Sequence, residues 1–274
     1  MRSFVAFLAA ISLCKARSQW FIDGARPSFM MGGEQYVIGG TDAAPGEFPW
    51  QLSQTRGGSH SCGASLLSSN SGLSASHCVD GALPGSITVI AGLHDRSGTP
   101  GSQEVDITGY TMHEEYLTGI YTYSNDISIL NFATPITIGG NIQPATLPAD
   151  NSNNYLGLTC VISGRGQTSS SNILPDTLQK ASIQVIGTDE CQTLVDNVLG
   201  YKIWHNHICI YNQTNSVGSC NGDSGGPLNC PDGTTVVAGI TSWGISSGGD
   251  CLQDYPSVYT RTSAYLDWIA ANSS

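Results

Sequence analysis

Positive charge is scarce in this chain. Ten lysines and arginines stand against 21 aspartates and glutamates in 274 residues, a formal net charge of -11, so no basic face is offered to nucleic acid or to acidic lipids. No two of the nine cysteines have the CxxC spacing of a zinc site, which points away from metal ligation. Apolar runs long enough for a bilayer anchor are missing too. The run Phe4–Leu13, preceded by Arg2, has instead the charged start and short apolar middle of a secretory signal. No segment recurs at a fixed period, which argues against a repeat architecture.

Cleavage of that signal after Ala16 would remove Cys14 and leave eight cysteines in a chain bound for an oxidising compartment. An even number there reads as four disulfides. Two sequons, at Asn212 and Asn272, fit a secreted, glycosylated surface. Glycine is abundant, at 33 residues, and charged residues make up only 11%, a balance that favours short strands joined by tight turns. From Val37 onward, apolar runs broken by Gly, Pro, Asn and Ser follow one another, among them 51–53, 65–67, 87–91, 127–132, 160–163, 183–186, 236–242 and 257–260. This is the pattern of an all-β sandwich or barrel. The polar stretch from Pro148 to Asn154 divides the region into halves of about 37–150 and 151–274. A helix is expected from Thr188, as cap, through Leu199. Another is expected near the C-terminus, where Tyr265, Trp268 and Ile269 share one helical face.

Chemistry concentrates in Ser219–Leu228, SCNGDSGGPL. A serine hydroxyl is a poor nucleophile unless a base takes its proton and donors hold the resulting oxyanion. Gly222 would let its own N–H and that of Ser224 point at one spot, and Gly225 and Gly226 leave room for a substrate. His77, in LSASHCV, has the side chain suited to accept and return a proton near neutrality. Asp126, in YSNDISIL, heads an apolar strand, where a carboxylate needs a partner. The chain order His, Asp, Ser is one of the known orders of a convergent triad. The formal GxSxG of an esterase is also present, but no histidine follows it.

The segments VIGGTDAAPGEFPWQ, LSASHC, SNDISIL, CNGDSGGPL, TSWG and YPSVYTR resemble the trypsin and chymotrypsin family along the whole of 37–274. Several are closer still to the earthworm fibrinolytic proteases. The resemblance implies two six-stranded antiparallel β-barrels with a C-terminal helix, in a secreted, monomeric serine endopeptidase that needs no cofactor or metal. Its partners would be protein substrates, fibrin or fibrinogen among them, and protein protease inhibitors. His77 would be the general base and acid, Asp126 its orienting acid and Ser224 the nucleophile, with the amides of Gly222 and Ser224 as oxyanion hole. Ser242 would hold Asp126, and the backbone of Ser242, Trp243 and Gly244 would pair with substrate. The implied bridges are Cys62–Cys78, Cys160–Cys230, Cys191–Cys209 and Cys220–Cys251.

The resemblance also implies a switch. Residues 17–36 would be an activation peptide, and cleavage after Tyr36 would free the α-amine of Val37 to pair with buried Asp223. Most relatives carry Arg or Lys before that bond; Tyr36 here implies a chymotrypsin-like activator. The primary pocket is expected to have Gly218 as floor and Gly244 and Ser257 as walls. Without an acid on the floor, apolar residues are expected before the cut, although Asp250 or Asp254 in the adjoining loop is placed to admit a cation. Arg165 stands where the family often has Trp, with no expected effect on the chemistry. His205 and His207 form an HxH without a third ligand and are expected in an exposed loop, as are His60, His94 and His113. The rival reading, a silent homologue that only binds, would predict a lost triad member or hole glycine, and this chain keeps them all.

Overall fold

The computed structural model describes the backbone of residues 21–23 and residues 37–273 except 168–173, 197, 199, 215 and 216. A short strand, β1 (Phe21–Asp23), precedes β2 (Thr41–Asp42). The first barrel follows: β3 (Gln51–Arg56), β4 (Ser59–Leu66), β5 (Ser71–Ser74), β6 (Ile87–Ala91), β7 (Gln103–Met112) and β8 (Ser128–Phe132) close in the order β3-β4-β5-β8-β7-β6. The second is built from β9 (Thr159–Gly164), β10 (Gln179–Ile186), β11 (His207–Ile210), β12 (Pro227–Asp232), β13 (Thr234–Ser247) and β15 (Ser257–Arg261). The path β13-β12-β9-β10-β11-β15 closes through a β13–β15 pairing. A two-residue strand, β14 (Asp250–Cys251), folds back on the end of β13. These are the two six-stranded barrels that the resemblance implies.

Some strands, β6 and β10 among them, show period-two burial, whereas β5, β11 and β15 are buried on both faces. Ala181, Ile183 and Val185 of β10 point inward while Ser182 and Gln184 between them are exposed. The inward sets make two cores. Leu52, Leu66, Ile87, Val89, Ile107 and Leu130 fill the first barrel. Tyr155, Ile162, Ile183, Ile208, Leu228 and Tyr259 fill the second, which also takes the side chain of Val37.

Two helices flank the barrels, α1 (Thr188–Val195) and α2 (Leu266–Asn272). The expected capping by Thr188 is not what the chain does. Gly187 occupies the cap position, Thr188 is the first helical residue, and the helix ends at Val195; Leu199 lies outside the described residues. The C-terminal helix docks as expected, with Tyr265 and Ile269 buried and Trp268 packed beside them. All four implied disulfides are formed.

Candidate active site

Asp126, fully buried just before β8, is the node of the site. Its Oδ1 accepts the His77 backbone N–H at 2.9 Å, while Oδ2 faces His77 Nδ1 at 2.6 Å and accepts the Ser242 hydroxyl at 2.6 Å. The Asp126 carbonyl in turn accepts the Thr260 hydroxyl at 2.8 Å. One residue, through its carboxylate and its backbone carbonyl, therefore ties the segment after β5 to β13 and β15 of the other barrel. A carboxylate only accepts, so His77 Nδ1 carries the proton and Nε2 carries the lone pair. Ser242 reaches Asp126 because the β13–β15 register shifts between Thr241 and Trp243, and this bulge turns the extra side chain toward the acid.

His77 stands on a single helical turn, Ser76–Cys78, that is clamped on every side. The Ser76 hydroxyl donates to Ile127 O at 2.6 Å, and Ser128 Oγ donates to Ala75 O at 3.0 Å. Gln54 Nε2 and Arg56 Nη2 both donate to Cys78 O, and the Cys62–Cys78 bridge fixes the turn to β4. Tyr123 meets the imidazole edge-on, with ring centroids 6.0 Å apart.

Ser224 is buried in a turn that only glycines can make. Gly222 has φ +100° and Gly225 φ +76°, and a Cβ on Gly225 would lie 3.1 Å from Cys78 Sγ. The turn thus packs against the residue that follows His77. Its hydrogen bonds are unequal. Asp223 N–H donates to Cys220 O, Gly225 N–H to Thr241 O and Gly226 N–H to Asp223 O. The N–H groups of Gly222 and Ser224 meet no acceptor among the described residues, leaving two adjacent donors unspent. The Ser224 carbonyl accepts Gly63 N–H at 2.7 Å, a contact across the two barrels.

Asp223 is buried as well. It accepts Gly166 N–H at 2.7 Å and Cys220 N–H at 3.0 Å, and burial pushes its carboxyl up to about 6. Val37 is 1% exposed and holds φ +32°, a left-handed conformation that is strained for a β-branched residue. Tyr36 lies outside the described residues.

Three residues matter here that the sequence reading did not single out for the site. His60 is not in an exposed loop: it sits between Ser53 Oγ, 2.8 Å from Nδ1, and the Gly222 carbonyl, 2.9 Å from Nε2. Desolvation lowers its pKa to about 4, so it stays neutral and donates from Nε2 to Gly222 O. Arg165 is fully buried, and its guanidinium donates to Leu93 O and Asp176 O. It anchors the segment whose next residue, Gly166, binds Asp223, so its place is beside the chemistry after all. Gln253 reaches the floor at Gly218, whereas the carboxylates of Asp250 and Asp254, the expected visitors, belong to exposed residues. His207 also departs from expectation. It is buried on β11, its Nδ1 accepts Trp204 N–H at 3.1 Å, and desolvation lowers its pKa to about 4, while His205 is exposed. The edge of β13 from Gly244 to Ser246 is paired, in parallel, by β1.

Two closed barrels with a buried Asp–His pair, a serine in a glycine-rich turn and two open amides beside it define a serine protease. The chain belongs to the trypsin family, whose model matches residues 37–269, and is a serine endopeptidase. It is 63% identical over 241 residues to the fibrinolytic enzyme isozyme C of Lumbricus rubellus, an alignment covering 86% of this chain and all of that protein. It is 37% identical to trypsin-1 of Astacus astacus over 246 residues, again 86% of this chain and all of the relative.

Proposed function

We propose that the chain is a secreted endopeptidase that works through an acyl-enzyme and prefers uncharged, apolar residues before the cut bond. Supporting the mechanism above all is the Asp126–His77 contact, which holds the proton on Nδ1 and puts the basic lone pair on Nε2. Ser224 Oγ attacks the substrate carbonyl while His77 Nε2 takes its proton, and the oxyanion is held by the N–H groups of Gly222 and Ser224. Collapse breaks the peptide bond, and the imidazolium returns the proton to the leaving amine. Water then repeats the sequence on the acyl-Ser224 ester. Asp126 remains ionised and stabilises the imidazolium. A serine-directed phosphonate should label the processed protein at Ser224 alone, read by peptide mass mapping. Absence of labelling would favour the silent-homologue reading.

The apolar preference is supported by the floor. Gly218 brings no carboxylate, the adjoining groups are the Ser257 hydroxyl and the Gln253 carboxamide, and a buried cation would lack a counter-charge. Likeness to a trypsin favours a second reading, cleavage after Arg or Lys. Matched peptides that differ only in the residue before the cut decide between them: a highest kcat/KM for Arg would overturn the apolar assignment. Fibrin or fibrinogen as substrate rests on the earthworm relative's name. Among the described residues no helix is long and apolar enough to cross a membrane.

His60 is proposed as a positioning residue for the hole, because its bond to Gly222 O fixes the residue whose N–H receives the oxyanion. His60→Ala is expected to lower kcat about tenfold with KM unchanged. His60→Gln, which can still donate to Gly222 O, should recover part of the loss. Equal losses in both variants, or a change confined to KM, would remove His60 from this role.

Activation belongs to the same proposal. Processing at 36–37 supplies an ammonium group to Asp223, and β1 must leave Gly244 before a substrate strand can pair there.

A further inference from the structure

The least expected neighbour in the molecule is the one beneath Gly218. A Cβ built on Gly218 would overlap Gln253 Oε1 and stand 3.0 Å from its Cδ and 3.1 Å from Ser257 Oγ. The space a side chain at Gly218 would need is thus already taken by the carboxamide of Gln253. Gln253 is held for that position. It lies in a turn closed by Tyr255 N–H donating to Leu252 O at 3.4 Å, just after Cys251, whose disulfide joins this loop to Cys220 of the serine turn. Its Nε2 donates to Cys251 O at 3.3 Å, which orients the amide and leaves Oε1 facing Gly218. Oε1 meets no hydrogen-bond donor among the described residues.

Behind this plug the wall is rigid. Ser257 Oγ accepts Ser219 N–H at 3.2 Å, and Ser219 Oγ is hydrogen-bonded to the Tyr259 hydroxyl. The loop just before Gln253 is ordered as a hairpin. Ser246 pairs with Cys251 and Ser247 with Asp250 around Gly248 and Gly249, whose φ values of +63° and +97° make the two-residue turn.

We propose that the carboxamide of Gln253 is the working floor of the primary pocket and limits its depth. Short and medium uncharged side chains, alanine, valine and leucine, are then selected over aromatic ones. This rests on the reading of Gly218 as the pocket floor. A longer side chain must push out the three heavy atoms of the carboxamide and break its bond to Cys251 O, whereas a shorter one packs upon it. Specificity therefore lies with a residue of the turn after Cys251 rather than with the floor position itself.

The test is kcat/KM for matched peptides carrying Ala, Leu, Phe or Arg before the cut, each enzyme standardised by active-site titration. The wild type should cleave after Leu faster than after Phe. Gln253→Ala should raise the Phe-to-Leu ratio about tenfold, the effect of a methylene-scale change in pocket fit, with Ala substrates unaffected. Gln253→Asn, which shortens the plug by one carbon, should give an intermediate rise and serves if the alanine variant does not fold. Gln253→Glu should raise the Arg-to-Leu ratio at least tenfold by placing a carboxylate at the floor. A Phe-to-Leu ratio within twofold of wild type in the Ala and Asn variants overturns the proposal. If the wild type favours Arg while Gln253→Ala still shifts Phe against Leu, the apolar preference fails and the depth-setting role of Gln253 stands.

Discussion

Asp126→Asn is expected to lower kcat by about four orders of magnitude, the scale of this substitution in triads generally, while KM and the urea midpoint change little. The reason lies in the number of donors that converge on the acid. Oδ1 accepts the His77 backbone N–H, and that bond will keep the amide oxygen of an asparagine on the same side. The new NH2 group then faces His77 Nδ1, at the position where Oδ2 stands 2.6 Å away. A donor there demands a lone pair on Nδ1, so the imidazole proton moves to Nε2 and the base that should deprotonate Ser224 is gone. Ser242 adapts at little cost, because a hydroxyl that donated to Oδ2 can rotate to accept from NH2. Labelling of Ser224 by a phosphonate should fall in step with kcat, and 15N NMR of the imidazole should show the proton on Nε2. A loss of less than tenfold, or an Nδ1–H tautomer in the variant, would show that Asp126 does not set the state of the base.

The same convergence explains what was legible in the sequence. His77, Asp126 and Ser224 each sit in a local pattern with its own physical signature: a histidine at the end of an apolar run, an acid at the head of one, a serine among glycines. Short apolar runs broken by turn residues made the strands readable, as at 183–186 in β10, and the cysteine count made the framework readable because an oxidising compartment leaves few uses for an even set. What escaped depends on partners far along the chain. His60 shows nothing locally of its bond to Gly222 O, 162 residues away, and Arg165 nothing of its bond to Leu93 O, 72 residues away. A charged side chain with a pKa lowered to about 10 by desolvation is found buried only once its carbonyl partners are known. Gln253 escaped for a related reason: acids draw attention in a loop beside a pocket, yet it is the neutral residue of the turn after Cys251 that reaches Gly218. Thr188 was misread as a cap because Gly187 supplies the extended backbone the position needs without a side-chain bond.

Processing at the 36–37 bond should reverse the way stability depends on pH near Asp223, and this is the second large effect. In the unprocessed chain the carboxyl titrates near 6 because burial disfavours its charge and the two N–H donors from Gly166 and Cys220 only partly compensate. A carboxyl raised from 3.8 in this way contributes stability that is complete below the unfolded value and is lost as pH rises through the folded one. The loss amounts to roughly 3 kcal/mol by pH 7. His60 and His207, both held near 4, act in the opposite sense, since their contribution is complete above 6.5 and is lost as pH falls toward 4. Those two are common to precursor and processed enzyme, so the difference between the forms isolates Asp223. In the processed chain, on the activation proposed above, the Val37 ammonium would meet the carboxylate, and the unfavourable charge would become one half of a buried pair. Hydrolysis also frees Val37 from φ +32°, a left-handed conformation costing on the order of 1–2 kcal/mol for a residue with a Cβ. With Ser224→Ala in both forms to prevent self-cleavage, urea unfolding at pH 4.5 and 7.5 should show the processed form gaining on the precursor by about 2 kcal/mol or more between the lower and the higher pH. Parallel curves for the two forms would mean that the freed terminus does not reach Asp223, and the coupling of processing to the Gly222 amide would have to be abandoned.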